Sequence, residues 1–453
     1  MRIRDPIHGT LSVSDEEKAV VDSRFYQRLR QVRQLGFGEL AFPGATHTRH
    51  AHSLGAMHVS GRLFDAVAER STLSPRARER FRAAVRAAVL CHDLGHMPLS
   101  HASESIAPLR SKLGLPAWVN GGRGAAVTPE RHSGRETPNV PPADPEHDGE
   151  REQAAHEDFT VRLLLDSELT GVLRTGYAKY DVTPEHIASL VTGVDPPGGS
   201  PFVDGGADWS PLLRSLVSGE LDADRMDYLL RDSFFTGVNY GRYDFDWVVN
   251  NLNPAAKDGR VYLALSKAAA FAFEDFLLSR YHMFLSVYYH HTSVSFDHML
   301  RAWYAEAPGE FEIPADPDAF VFCDDVALWS ALRKSQNRWA ERLVGRRGFK
   351  RVAEFTERDT SYDLKALQAA LDASGVEHFA VESRGVLSRY FEEASRSPLY
   401  IVDISSGRLT DVQSYTPLYQ RYAGAVRLSR VYVRPDQADE GRKVVARLTG
   451  AKS

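Results

Sequence analysis

The stretch Leu90-Cys91-His92-Asp93-Leu94-Gly95-His96-Met97-Pro98-Leu99-Ser100-His101 holds three histidines and an aspartate. An adjacent His-Asp pair offers a neutral imidazole and a carboxylate, donor types that divalent cations take. The stretch follows the alanine-rich run Ala83 to Val89, which reads as a buried helix that Gly95 and Pro98 bring to an end. His96 and His101 therefore fall on irregular backbone, within reach of a ligand held by the first pair. Histidines at a helix C-terminus also interact with its dipole. That accounts for one or two of them, but not for this density beside an aspartate.

Further donors lie far away in the chain. Arg49 and His52 are three residues apart on a second helix and share a face. A single histidine on a core helix is usually structural, but an arginine one turn earlier lets the pair serve a metal and an anion together. In Leu221 to Asp232 the residues Asp224, Tyr228 and Asp232 stack at four-residue intervals. Such a stripe is either an exposed face or the lining of a ligand site, and the apolar neighbours Met226, Leu229 and Leu230 favour partial burial. Arg280, Phe284 and Tyr288 repeat the device, with His291 beyond them; a guanidinium and aromatic rings suit a phosphate and a base, or plain core.

The metal-type donors are thus His52, His92, Asp93 and Asp224. A mixed His/Asp set suits Mn, Fe, Zn, Ni or Mg better than a thiolate-loving ion. Such a cation polarises a phosphoryl oxygen and lowers the pKa of bound water. Arg49, Arg280 and the remaining histidines would neutralise phosphate charge, and an imidazole can protonate a leaving oxygen.

The elements that must position these groups are mainly helical. Thr10 to Val13 reads as a short edge strand, and Ser14 with Glu17 as a capping box. Apolar periodicity predicts helices over Arg24 to Leu35, Thr48 to Glu69, Asp158 to Leu169 and Ala268 to Trp303. Thr183 and Pro184 open another helix, and Arg260 to Leu265 alternates like one strand of a small hairpin. Beyond about residue 310, Ser361 to Ala373 reads as helix, while Leu399 to Asp403 and Val426 to Val433 read as strands. The fold class expected is mostly α: a helical core over 1–305 with a small β-hairpin, then a smaller α+β appendage over 306–453. Residues 109–153 are rich in proline, glycine and charge and read as a flexible insertion, in which His132 and His147 have no functional part.

Composition sets bounds. The chain has 453 residues, 43% hydrophobic and 25% charged, the balance of a globular protein with one large core and an appendage. A formal net charge of −5 gives no basic footprint for nucleic acid. The two cysteines, Cys91 and Cys323, form no framework and fit a reducing compartment. No apolar signal core and no uncharged run of membrane-spanning length occurs, so a cytoplasmic, soluble protein is expected.

The order His52, His92-Asp93, Asp224 resembles the HD-domain metal-dependent phosphohydrolases. Asp5-Pro-Ile-His-Gly9, Gln27-Arg-Leu-Arg30, Gln34-Leu-Gly36, Phe42-Pro-Gly44, His52-Ser-Leu-Gly55, His92-Asp-Leu-Gly-His96, His156-Glu157, Asp222-Ala-Asp224 and Asp227-Tyr228 extend the likeness. Together they resemble the dNTP triphosphohydrolases related to the sterile-alpha-motif/HD enzyme, over roughly residues 1 to 305 apart from the insertion. The resemblance implies an HD-domain helical core with the metal on His52, His92, Asp93 and Asp224. It implies water attack on the α-phosphorus, releasing a deoxynucleoside and tripolyphosphate.

By the same resemblance His101 protonates the 5′ oxygen, with Glu104 in place of the aspartate expected beside it. Arg49, His96 and His156 meet phosphate or the active site, and Arg225 stands for a phosphate-binding lysine. Gln34, Leu35, Tyr228 and Asp232 match the sugar pocket, with Arg280 and Tyr288 on its far side. Phe284 and Tyr289 replace polar residues near the nucleotide, so base preference does not carry over. Asp22 and Arg30 match a guanine-nucleotide regulatory site between subunits, where Arg4 is a departure. A homo-oligomer, dimer or tetramer, is implied by the family. The alternatives are another HD phosphohydrolase (a nucleoside monophosphatase, alarmone hydrolase or phosphodiesterase) or a nucleotide-sensing regulator.

Overall fold

A computed structural model of the chain describes residues 1–120, 152–356, 359, 362–386, 398–416, 418 and 425–449. Most of the expected insertion, including His132 and His147, lies outside the described residues. The fold is mostly α with small sheets. Two helices, Arg49–Glu69 and Pro75–Cys91, pack together at its centre. Met57, Phe64, Phe81, Val85 and Val89 are fully buried between and around them. Apolar periodicity brings these side chains to shared faces, and burying each contributes about 1.5–3 kcal/mol. Ser74 caps the second helix, its hydroxyl accepting from the Ala77 N–H, and Pro75 occupies the first turn. The helix Ala223–Thr236 lies against Arg49–Glu69 and carries its polar stripe to that helix's histidine.

The strands support this core. Arg2–Asp5 pairs antiparallel with Gly9–Ser12, Asp5 opposite Gly9. Leu252–Lys257 and Arg260–Ser266 form the expected hairpin, and Tyr400–Asp403 adds parallel to the second of them. Leu399, Ile401 and Val412 thereby enter the same core cluster as the central helices. A separate antiparallel sheet sets Ala425–Val433 between Lys350–Thr356 and His378–Val386. The helices Leu364–Ala373 and Ala438–Thr449 pack on it.

Three expected helices are interrupted. Arg24 to Leu35 is helical only to Arg28, continues as a 3₁₀ turn to Gln31, and is extended at Val32 (φ −116°, ψ 112°). There the backbone of Arg33 bridges to Thr48, and its N–H donates to Asp325 Oδ2 at 2.9 Å. Long-range backbone bonding thus overrides a helical stripe. Asp158 to Leu169 divides into His156–Leu165 and Glu168–Tyr177, with Ser167 capping the second. Ala268 to Trp303 divides into Ala270–Met283, a π-helical turn Phe284–Tyr288, and His291–Glu306. A single π turn is a common device at functional sites, and this one places Phe284, Val287 and Tyr288 on a cavity wall.

Candidate active site

His52 projects from the first turn of its helix, His92 sits at the C-terminal end of the next, and Asp224 lies in the first turn of a third. His52 Nε2 is 2.9 Å from Asp224 Oδ1 and 3.7 Å from Asp93 Oδ2. His92 Nε2 is 3.3 Å from Asp93 Oδ1 and 3.5 Å from Asp224 Oδ1. The other nitrogen of each imidazole is engaged: His52 Nδ1 lies 2.8 Å from Asp227 Oδ2, and His92 Nδ1 lies 2.6 Å from the Val89 carbonyl oxygen. Such contacts fix the tautomer that presents Nε2 as a lone pair.

Both Nε2 atoms are buried without a well-formed hydrogen bond. Two orphaned lone pairs facing two carboxylates are costly unless a cation fills the space. These residues fit a divalent metal. Burial alone would lower the His52 pKa, yet hydrogen bonds and charge from Asp224 and Asp227 raise it to about 10. The surroundings that retain a proton so firmly would retain a cation in its place.

Asp227 anchors the arrangement from behind. It is fully buried, accepts from Arg231 Nε at 2.8 Å and NH2 at 2.9 Å, and lies 2.7 Å from His8 Nε2. Arg231 also donates to Asp5 at 2.9 Å. Burial raises the Asp227 carboxyl, but the Arg231 guanidinium and its hydrogen bonds hold it well below the usual range. Gly55 makes room for this pair: a Cβ there would lie 2.1 Å from Asp227 Oδ1 and 2.2 Å from Arg231 NH2. Partners of this kind typically change metal affinity 10–100-fold. Asp227→Asn is therefore expected to weaken metal binding by about 10–100-fold, measured by titrating metal into the stripped protein. Unchanged affinity would remove it from this role.

After Cys91 the chain turns through Gly95 and Pro98 into a 3₁₀ helix, Ser100–Ile106. Leu99 (φ 52°) and Ser100 (φ 56°) are both left-handed. This costs about 1–3 kcal/mol per residue for non-glycine residues and is characteristic of functional sites. The turn brings three imidazoles together. The His96 ring stacks on His156 at 3.8 Å and 17°, and His101 stands edge-on to both at 5.0 and 5.4 Å. Gly95 permits the approach, since a Cβ there would meet the His156 carbonyl oxygen at 2.0 Å.

Glu104 Oε1 lies 2.8 Å from His101 Nδ1 and 3.3 Å from His156 Nδ1. Burial works against its charge, but the two histidines hold its carboxyl well below the usual range. His156 is pushed to about 9: burial opposes this, and Glu157 and Glu104 outweigh it. Burial, then Arg49 and His156, push His96 well below the imidazole range. A neutral imidazole therefore faces a cationic one. Arg49 joins the two halves, donating to Asp93 Oδ2 at 2.6 Å and to Ser100 Oγ at 2.9 Å.

A cavity of about 260 Å³ opens onto both halves. Its wall includes Arg49, His92, Asp93, His96, His101, His156 and Asp224. It continues past Gln34, Leu35, Tyr228, Asp232 and Tyr288 to Phe284 and Tyr289. Tyr288 donates to Asp232 Oδ2 at 2.9 Å, and the other oxygen of Asp232 lies 2.7 Å from His47 Nε2. His47 stacks on Phe235 at 4.5 Å and so fixes the carboxylate.

Comparison with known proteins agrees with this geometry. A family model described as an HD associated region matches residues 244–386. A deoxynucleoside triphosphate triphosphohydrolase SAMHD1 homolog of Dictyostelium discoideum is 29% identical over 335 residues, covering 72% of this chain and 54% of that protein. The chain is similar to HD-domain phosphohydrolases. The uncharacterized protein YwfO of Bacillus subtilis is 29% identical over 289 residues, 63% of this chain and 51% of that one. The chain thus spans about half the length of these curated relatives. A crystal structure of a hypothetical protein from Aquifex aeolicus shares this fold: TM-score 0.67, 24% identity, covering 98% of this chain and 99% of that chain.

HD-domain phosphohydrolases are metal-dependent, and the His52, His92, Asp93 group could bind a metal, its donor atoms lying within 4.8 Å of one another. Other residues expected at this HD-domain site lie off the cavity wall. His52 and Glu104 stand behind it, touching Asp224 and His101 respectively. Arg225 and Arg280 are buried and turned to other acids. Arg225 NH1 donates to Asp222 at 2.7 Å, and Arg280 NH1 is 3.7 Å from Glu220, with its guanidinium carbon 5.7 Å from the Phe284 ring.

Asp22, Arg30 and Arg4 lie at the surface, each paired within its own segment, to Lys18, Gln27 and Thr10. Sequence reasoning gave no role to Asp5, His8, His47, Asp227 or Arg231. The signal of Asp5, His8 and Asp227 was present in Asp5-Pro-Ile-His-Gly9 and Asp227-Tyr228, motifs that carried the resemblance without an assigned role, whereas His47 and Arg231 lay outside every motif quoted for it. Among the described residues no helix is long and apolar enough to cross a membrane.

Proposed function

We propose that the chain hydrolyses deoxynucleoside triphosphates to a deoxynucleoside and tripolyphosphate, water attacking the α-phosphorus. The observation that carries this reading is one cavity lined by His92, Asp93 and Asp224 on one side and by His101 on the other, with His52 behind Asp224 and Glu104 behind His101. The relatives named for that activity support it. A divalent cation on the four donors would supply Lewis acidity toward a phosphoryl oxygen and lower the pKa of water.

The chain's own groups do the remaining work. Arg49 and cationic His156 meet phosphate charge, with His96 beside them. Glu104 engages His101 at Nδ1, so that Nε2 is the nitrogen able to protonate the departing 5′ oxygen. Tyr228, Asp232 and Tyr288, with Gln34 and Leu35, would surround the sugar, where a close fit at C2′ selects deoxyribose. This reading also carries, from the resemblance, a homo-oligomer and a nucleotide activator beside Asp22 and Arg30. Light scattering with and without GTP tests both.

Purified protein with Mn²⁺ or Mg²⁺ is expected to convert a dNTP to deoxynucleoside and tripolyphosphate, resolved by ion chromatography. Orthophosphate or pyrophosphate as the product would assign the site to a different phosphohydrolase. No turnover of any dNTP, with or without GTP, would favour a nucleotide sensor.

A further inference from the structure

The turn that carries His101 does not stand by itself. Asp325, buried in the first turn of the helix Asp325–Lys334, accepts from the Leu99 N–H at 2.7 Å with Oδ1 and from the Arg33 N–H at 2.9 Å with Oδ2. One carboxylate thus joins the left-handed turn to the strand-like segment leading into Gln34 and Leu35. Ser100 closes the same loop, donating from Oγ to the Arg33 carbonyl at 2.9 Å. Two residues earlier in the C-terminal segment, the Cys323 carbonyl accepts from Arg28 Nε at 2.9 Å and NH2 at 2.6 Å. The same guanidinium donates to the His96 carbonyl at 2.6 Å and the Leu94 carbonyl at 3.3 Å.

Phe320 lies under that guanidinium at 4.1 Å and stacks at 4.5 Å on Phe159, from the helix that begins at His156. Arg28, Phe320, Cys323 and Asp325 are not on the cavity wall, and most of their contacts with the turn are made to backbone. Backbone contacts of this kind set where a turn sits without touching what binds in front of it.

We infer that residues 320–325 are a positioning element for the His96–His101 turn, with Arg28 and Asp325 as its positioning residues. The inference rests on the reading that His101 delivers a proton. Leu99 and Ser100 hold a conformation that a free chain rarely adopts, and Asp325 and Arg28 supply the fixed acceptor and donors that impose it. Arg28 does so as a planar fork between carbonyls, which a lysine cannot reproduce. A displacement of about 1 Å at a catalytic group costs on the order of 10²-fold in rate.

Asp325→Ala in the metal-loaded full chain is expected to lower kcat by about 10–100-fold, with KM within about threefold and metal content unchanged. Asp325→Asn, which keeps one acceptor oxygen, should lose less, and Arg28→Met should behave like Asp325→Ala. Amide exchange reads the device without activity: Leu99 and Arg33 should lose protection in Asp325→Ala, while amides of the Pro75–Cys91 helix keep theirs. Wild-type kcat together with unchanged exchange at Leu99 would overturn the inference, as would metal lost in step with kcat. If Asp325→Ala does not fold, Asp325→Asn carries the same comparison. A wild-type protein inactive on every dNTP would defeat the proposed reaction alone, since exchange and metal content still decide the positioning role.

Discussion

Asp224→Ala is expected to abolish metal-dependent turnover, a loss of on the order of 10³-fold or more, while the protein remains folded. Asp224 Oδ1 is the atom that both His52 Nε2 (2.9 Å) and His92 Nε2 (3.5 Å) approach. Without it, two imidazoles and one carboxylate remain, and that carboxylate already accepts from Arg49. The lost Lewis acidity is worth several kcal/mol, each 1.36 kcal/mol being a factor of ten in rate. Folding should survive because the Asp224 side chain is 34% exposed and caps no helix; Asp222 does that, accepting from the Arg225 N–H. Circular dichroism checks the fold and elemental analysis the metal. A variant with full metal and normal turnover would remove Asp224 from the ligand set.

His101→Ala should separate from this result in one respect. Its kcat is expected to fall by about 10²–10⁴-fold, the usual contribution of a positioned proton donor, with metal content as in the wild type. His101 stands among Glu104, His96 and His156, on the side of the cavity formed by the His96–His101 turn. A substrate whose leaving group needs no proton, such as a nitrophenyl ester, should be far less affected. Loss of metal in proportion to activity would show that His101 is a ligand and not the acid.

Much of this site was legible before any fold was known, and for definite reasons. His92 and Asp93 are adjacent, and Arg49 and His52 share a helical face by spacing alone. Asp224, Tyr228 and Asp232 follow a helical period, and all three reach the cavity. Arg280 and Tyr288 follow one too, but the π turn between them breaks the period. Tyr288 reaches the wall while Arg280 faces Glu220. That break has neither glycine nor proline to announce it. Arg225 illustrates another limit: adjacency to Asp224 rotates it about 100° round the helix, to Asp222 and away from the cavity. Asp325 was hidden most deeply, since a carboxylate in the first turn of a helix looks like ordinary dipole compensation. Only the long-range contacts to Leu99 and Arg33 distinguish it.

The N-terminal hairpin has a consequence for biosynthesis. Its His8 meets Asp227 across 219 residues, and Asp5 meets Arg231 across 226. At about 5–20 residues per second, synthesis takes on the order of 10–40 s to cover that interval. For more than half of that time His52 and His92 are on the nascent chain, but the carboxylate that orients His52 is not. A metal captured in that interval would meet an incomplete set of donors. The hairpin can close over Arg231 only after translation has passed it, so the donor set is complete, with its supporting layer, only from that point on.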